Sequence, residues 1–180
     1  MNHSEHAALH TRQLVYIALF AAIKVVLGLM PDLGANRFAP GNAAVIMAGL
    51  WLGPVSGGLC GLIADLVGYL VKNSGYALNP IITLAAAFWG IIPGLACARL
   101  KAPASRTHKG VLICAHIVAA ALVCTVCLTT LGLVLVNGYH LYAILPGRLI
   151  QAATMTPFYC VICCLLYFSP LTGIITNPSP

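Results

Sequence analysis

The sequence predicts an all-α integral membrane protein built as a bundle of six transmembrane helices. Three observations carry this. Of 180 residues, 61% are hydrophobic and 7% are charged, where a soluble domain carries roughly 25% charged residues. The mean hydropathy is +0.97. Long apolar runs recur along the chain, separated by short segments rich in Pro, Gly and Asn. The length suits one compact domain. It leaves no soluble part large enough for an ATPase or a separate enzyme, so energy for uphill movement would have to come from another chain.

The elements follow in order. Residues 1–12 form a short polar tail, read as disordered and cytoplasmic. The first span, 13–30, starts after His10-Thr11-Arg12 and runs to Met30 without a small-x-small cleavage site, so it is a membrane helix rather than a signal peptide. Pro31, Gly34, Pro40 and Gly41 punctuate a loop. Residues 43–52 are apolar but stop at Gly53-Pro54. That is short of the roughly 20 residues a full span needs, so the second span either begins inside the preceding loop or is partial or tilted. The third span, 55–71, carries Gly57, Gly58, Gly61 and Gly68, which allow close helix approach. Lys72-Asn73-Ser74-Gly75 breaks the run. The fourth span, 80–98, contains Pro93 as a kink. Arg99, Lys101, Arg106 and Lys109 make the stretch after it the most basic in the chain. The fifth span is 110–136, Asn137-Gly138-Tyr139-His140 is a turn, and the sixth span is 142–168. The membrane domain is therefore 13–168, with a C-terminal tail over 169–180.

Six spans place both termini on one side. Arg12 and the 99–109 segment carry five of the nine Lys and Arg residues there, and the positive-inside rule makes that side the cytoplasm. Loops 31–42, 72–79 and 137–143 are then external. The net charge of +6 reflects these loops. No basic run is long enough to argue for nucleic acid.

Within this frame the chemistry-bearing residues are few. Arg148 sits in a hydrophobic run from Tyr142 to Phe168. Its guanidinium cannot shed its proton, so it requires a partner, a wet cavity or an anionic ligand. Gln151, three residues on, shares its helical face, and Thr154 extends that face deeper. Arg37 and Lys72 are further external cations, with Asn36, Asn42, Asn73, Tyr76, Asn79, Tyr139, His140 and Tyr142 around them. If the loops fold over the bundle, these residues form an outward-facing pocket of positive bias that suits an anionic, hydrogen-bonding solute. The blander alternative is contact between interfacial cations and lipid phosphate. Lys24 lies in the first span and points about 200° away from Ala22. One face of that helix is therefore smooth, carrying Ala18 and Ala22, and suits docking against another helix. The other face directs a charge into the bundle. Asp65, the one acidic residue well inside a span, either pairs with Lys24 or Arg148 or accepts hydrogen bonds from a solute.

Catalytic constellations are missing from the sequence. It has no carboxylate pair, no nucleophile elbow, no helical His pair and no phosphate loop. No cofactor and no metal is implied. Cys124-x-x-Cys127 and Cys160-x-x-Cys163-Cys164 lie inside apolar runs without His or carboxylate ligands, and are packing residues. His116 is a packed or hydrogen-bonded residue of the fifth span.

Four segments in order resemble one family. They are Leu14-Val15-Tyr16-Ile17-Ala18-Leu19-Phe20-Ala21-Ala22, Ala48-Gly49-Leu50-Trp51-Leu52-Gly53-Pro54 through Gly58, Ala64-Asp65-Leu66-Val67-Gly68, and Leu145-Pro146-Gly147-Arg148-Leu149-Ile150 with Met155-Thr156-Pro157. The chain resembles the substrate-binding S component of energy-coupling factor (ECF) vitamin transporters, most closely the folate family, over roughly residues 13–168. The resemblance implies a six-helix S-component fold with no enzymatic activity and an outward-facing vitamin site. It implies assembly with a membrane coupling protein (T component) and two cytoplasmic ATPases. It makes Ala18 and Ala22 the coupling-protein surface, and delivery a toppling of the whole S component. Read from their charge and placement, the candidate substrate residues are Lys24, Arg37, Asp65, Lys72, Tyr76, Arg148 and Gln151. The chain departs from the family after Arg37, where Phe38-Ala39-Pro40-Gly41-Asn42 replaces an aromatic and glycine pattern, and again over Lys72 to Pro80. Another water-soluble vitamin or precursor is thus an alternative to folate. More remote are a structural subunit and a membrane enzyme acting on lipid phosphate. The enzyme would need acidic metal ligands, and the chain has three acidic residues in all.

Overall fold

A computed structural model describes residues 3–29, 39–72, 78–100, 105–170 and 172–173, and they are helical apart from short connections. The helices are α1 (His3–Gly28), α2 (Asn42–Leu52), α3 (Pro54–Lys72), α4 (Pro80–Gly94) with the short α5 (Cys97–Leu100), α6 (Arg106–Ala120), a π-helical segment (Ala121–Thr129), α7 (Thr130–Leu135) and α8 (Leu141–Tyr167). Among the described residues, five stretches are long and apolar enough to cross a membrane: Thr11–Gly28, Pro54–Val71, Pro80–Leu100, Arg106–Leu135 and Leu141–Tyr167. The protein is a multi-pass membrane protein.

The second span is the exception. α2 has 11 residues, roughly 16 Å at 1.5 Å per residue, or about half of a bilayer's hydrocarbon core. It is a central half-span. Every residue from Ala43 to Trp51 is buried, so α2 is enclosed by its neighbours and faces lipid on no side. It ends at Gly53, whose φ of 95° suits a residue without a Cβ, and Pro54 starts α3 immediately.

Lipid offers apolar side chains no hydrophobic drive to associate, so close van der Waals contact holds such a bundle together. Here glycines provide it. α3 and α4 run antiparallel, with Gly57 against Gly90 and Gly61 against Ala86. Gly49 of α2 completes the contact: a Cβ on Gly57 would stand 2.6 Å from the Gly49 Cα and 2.7 Å from the Gly90 oxygen. One turn further along the same register, Thr83 Oγ1 of α4 donates to Asp65 Oδ2 of α3 at 2.8 Å.

One expectation about the ends changes. The polar N-terminal residues are helical from His3 instead of forming a disordered tail, since Ala and Leu there extend a helix that the span has already nucleated. At the other end of the chain, the Trp51 indole N–H donates to Thr172 Oγ1 of the C-terminal tail at 3.1 Å, and the Arg106 guanidinium lies 4.9 Å from the centre of the Phe168 ring at the end of the sixth span. Arg12, Arg99, Arg106 and Lys109 all lie at this end of the bundle, the basic end.

Candidate functional site

The site forms where α2 stops short. Asn42 opens α2 at mid-bundle, and beside it a small cleft is lined by Trp89 of α4, Ala121 and Thr125 of the π-helical segment, and Gln151, Ala152, Met155, Thr156 and Tyr159 of α8. The α8 residues follow helical spacing: 151, 155 and 159 make one stripe, and 152 and 156 the next. Trp89 and Tyr159 meet edge to face with ring centres 5.4 Å apart. The Tyr159 hydroxyl is satisfied within the protein, donating to the Ala39 carbonyl at 2.7 Å. The remaining polar lining consists of neutral amides and hydroxyls.

Arg148 and Gln151 come together as their spacing predicts. Arg148 Nη1 donates to Gln151 Oε1 at 2.9 Å, and the guanidinium is half-buried one helical turn above the cleft. This bond turns the Gln151 amide toward the positive group and orders the mouth of the cleft. Thr154 does not extend this face. It is exposed, and its hydroxyl returns to the Ile150 carbonyl at 2.9 Å. Thr156, two residues on, occupies the cleft instead.

Lys24 faces inward with Ile17 and Ala21, which are buried. Its backbone and stem pack on Gly41, whose Cβ would stand 2.8 Å from the Lys24 carbonyl oxygen. Asp65 lies within electrostatic reach of its ammonium. Among the described residues no ion pair within 4 Å joins Asp65 to Lys24 or Arg148. The glycine contact between α3 and α4 delivers the Thr83 hydroxyl to Asp65 first, and this ties the carboxylate into the frame. Arg37 and Tyr76 lie outside the described residues, as does the side chain of Lys72, the last residue of α3.

Tyr139, His140 and Tyr142 stand away from the cleft. All three are exposed, Tyr142 by 89%. Asn79 has a structural role. It caps α4 by accepting from Ile81 and Ile82 N–H, and its amide donates to the Gly132 carbonyl at 2.7 Å and to Asn137 Oδ1 at 3.0 Å. That clamp joins α4 to α7 at the end opposite the basic one. His116 bonds the Leu112 carbonyl of its own helix at 2.8 Å. Cys124 is buried and Cys127 exposed, so that pair does not share a face. Ala18 and Ala22 are exposed on α1, flanked by exposed Leu14, Val15, Leu19 and Val26.

Trp89, Thr125, Thr156 and Tyr159 belong to the cleft without having been singled out as site residues. The usable signal in the sequence was the run 151–159, where Gln, Thr and Tyr recur at helical spacing below Arg148.

The sequence matches the family described as ECF transporter, substrate-specific component, over residues 12–177. The chain belongs to that family. It is thus a substrate-binding subunit of a membrane transporter, and not an enzyme. No curated protein matches it in sequence. Among solved structures it is similar to one titled "Crystal structure of FolT bound with folic acid", with a TM-score of 0.70 and 21% identity, covering 87% of this chain and 92% of that one. The two share a fold. In this S component, α2 is the enclosed half-span and the cleft above it is the candidate substrate site.

Proposed function

We propose that this S component captures folate, or a related anionic pteridine, from outside the cell and delivers it to a coupling subunit. The observation that carries the reading is the cleft's composition: two aromatic walls, Trp89 and Tyr159, with Asn42, Thr125, Gln151 and Thr156 between them and a cation one turn above. A planar heteroaromatic ring with donors and acceptors on its edge fits such a site. The acidic part of the ligand extends toward Arg148, with Arg37 and Lys72 as further candidates to meet it. Lys24, behind Asn42, and Asp65, on Thr83, support the frame of the site. The fold shared with a folate-bound protein supports the same ligand class.

Family membership supports the reading of delivery. The S component would dock on a T component that is coupled to two cytoplasmic ATPases, with the smooth Ala18/Ala22 face of α1 as the contact, and would topple as a body to release its vitamin. The basic end, with both termini, would face the cytoplasm.

Calorimetry on the purified protein with folic acid tests the ligand. Saturable tight binding supports the reading. Failure to bind folic acid, with a different vitamin identified by mass spectrometry in the purified material, replaces folate but keeps the site. Affinity capture of the tagged chain tests the partners: recovery of a membrane subunit and two ATPases is expected.

A further inference from the structure

The fifth span is not one continuous α-helix. Between Ala121 and Thr129 it widens into a π-helix, whose N–H groups bond carbonyls five residues back instead of four. Such runs are rare, and a nine-residue one needs local support. Two side chains supply it. Thr129 Oγ1 donates to the Cys124 carbonyl at 2.7 Å and Thr130 Oγ1 to the Thr125 carbonyl at 3.4 Å, each five residues back. Threonine in an ordinary α-helix reaches three or four residues back. Thr154 and Thr156 of α8 do this, bonding the Ile150 carbonyl at 2.9 Å and the Ala152 carbonyl at 2.6 Å. The longer reach of Thr129 and Thr130 belongs to the expanded register.

The expansion lies between two features of the site. At its start, Ala121 and Thr125 form a wall of the cleft. Just past its end, the Gly132 carbonyl receives the Asn79 amide, and a Cβ on Gly132 would stand 3.2 Å from both side-chain heteroatoms of Asn79. The phase of the span is thus fixed at both places, by the cleft and by the clamp. A π expansion accommodates one residue more than an α-helix would between the same two phases. Removing one residue inside it restores an α-helix, whereas removing one from an α-helical stretch turns everything beyond by about 100°.

We propose that Thr129 and Thr130 are positioning residues. They hold the fifth span in its expanded register, which presents Ala121 and Thr125 to the substrate while keeping Gly132 on Asn79. The ligand half of this proposal rests on the folate reading; the register half does not. Deletion of Val126, inside the expansion, is compared with deletion of Leu112, in α6, by thermal unfolding of the full chain. The Val126 deletion is expected to stay folded within about 5 °C of the wild type, and the Leu112 deletion to lose cooperative unfolding. Calorimetry with folic acid then compares the Val126 deletion, Thr129→Val/Thr130→Val and Thr129→Ser/Thr130→Ser. The first two are expected to bind at least about tenfold more weakly, and the serine pair, which keeps both hydroxyls, to bind as the wild type does. A Val126 deletion that unfolds like the Leu112 deletion overturns the register claim. Unchanged affinity in the folded Val126 deletion or in the valine pair overturns the positioning claim, as does a serine pair no better than the valine pair. Should the wild type itself fail to bind folic acid, the folate reading fails, and the two deletions alone decide the register.

Discussion

Arg148→Ala offers the sharpest test of how the site discriminates. The guanidinium is half-buried and donates to the Gln151 oxygen at 2.9 Å, while Asp65 accepts from Thr83. A ligand carboxylate seated on this arginine gains a charge-assisted bond. Truncating one partner of such a pair costs about 2–5 kcal/mol; partial exposure places Arg148 at the low end, about 2–3 kcal/mol, or roughly a 30–150-fold loss of folate affinity. Titrating two ligands separates charge from shape: folic acid, and a pterin that carries the ring system without the carboxylates. Arg148→Ala should weaken folic acid by the full factor and the pterin by less than about threefold. Arg148→Lys should recover part of the folic acid affinity, because the ammonium keeps the charge but not the fork. Equal losses for both ligands would refute the reasoning. They would mean that Arg148 acts only by holding Gln151 in place.

Three further outcomes are expected. Gly57→Val should destabilise the bundle by about 1–3 kcal/mol or more, since its side chain would meet Gly49 and the Gly90 carbonyl; a denaturant titration showing wild-type stability would contradict the glycine-packed core. Asn79→Leu removes two donors to α7 and the α4 cap, with an expected loss of about 2–3 kcal/mol that Asn137→Ala reproduces only in part. Ala18→Leu/Ala22→Leu adds bulk to an already exposed face, so folic acid binding by the isolated protein should stay within about twofold while recovery of the coupling subunit and uptake by whole cells collapse. Normal uptake in that variant would move the docking surface elsewhere.

The spans were legible because Gly, Pro and Asn clusters bound each apolar run, and a run near 20 residues in so uncharged a chain admits few other readings. The pairing of Arg148 with Gln151 was legible because three residues on a helix fix a shared face. Other parts of the site were not. Trp89, Thr125 and Tyr159 each sit in an apolar run, where an aromatic or a threonine is ordinarily a packing residue. Their meaning comes from the convergence of α4, the π-helical segment and α8, which no single run encodes. The sequence left the partner of Asp65 open among Lys24, Arg148 and a solute, and the register that sets Gly57 on Gly90 and Gly61 on Ala86 brings a group it did not name, Thr83, to that carboxylate. Tertiary packing chose the partner, and the hydroxyl came with the close approach.

The half-length of α2 and the existence of a cleft have one cause. An 11-residue helix fills only half of the bilayer's depth, and the polar backbone at its start cannot face lipid without partners. The protein resolves this by burying α2 on every side, which requires α3 and α4 to close on it through Gly49, Gly57 and Gly90. Beside the start of the same helix, Trp89, the π-helical segment and α8 line the cleft. Non-helical backbone at membrane depth is tolerated where it is buried in protein or lines a cavity, and the Ala39 carbonyl, held by Tyr159 from the floor of that cleft, is such a case. Lengthening α2 by a turn at its start would therefore fill the cleft before it stabilised the fold. A short second span is what gives a bundle this small an interior able to take a solute.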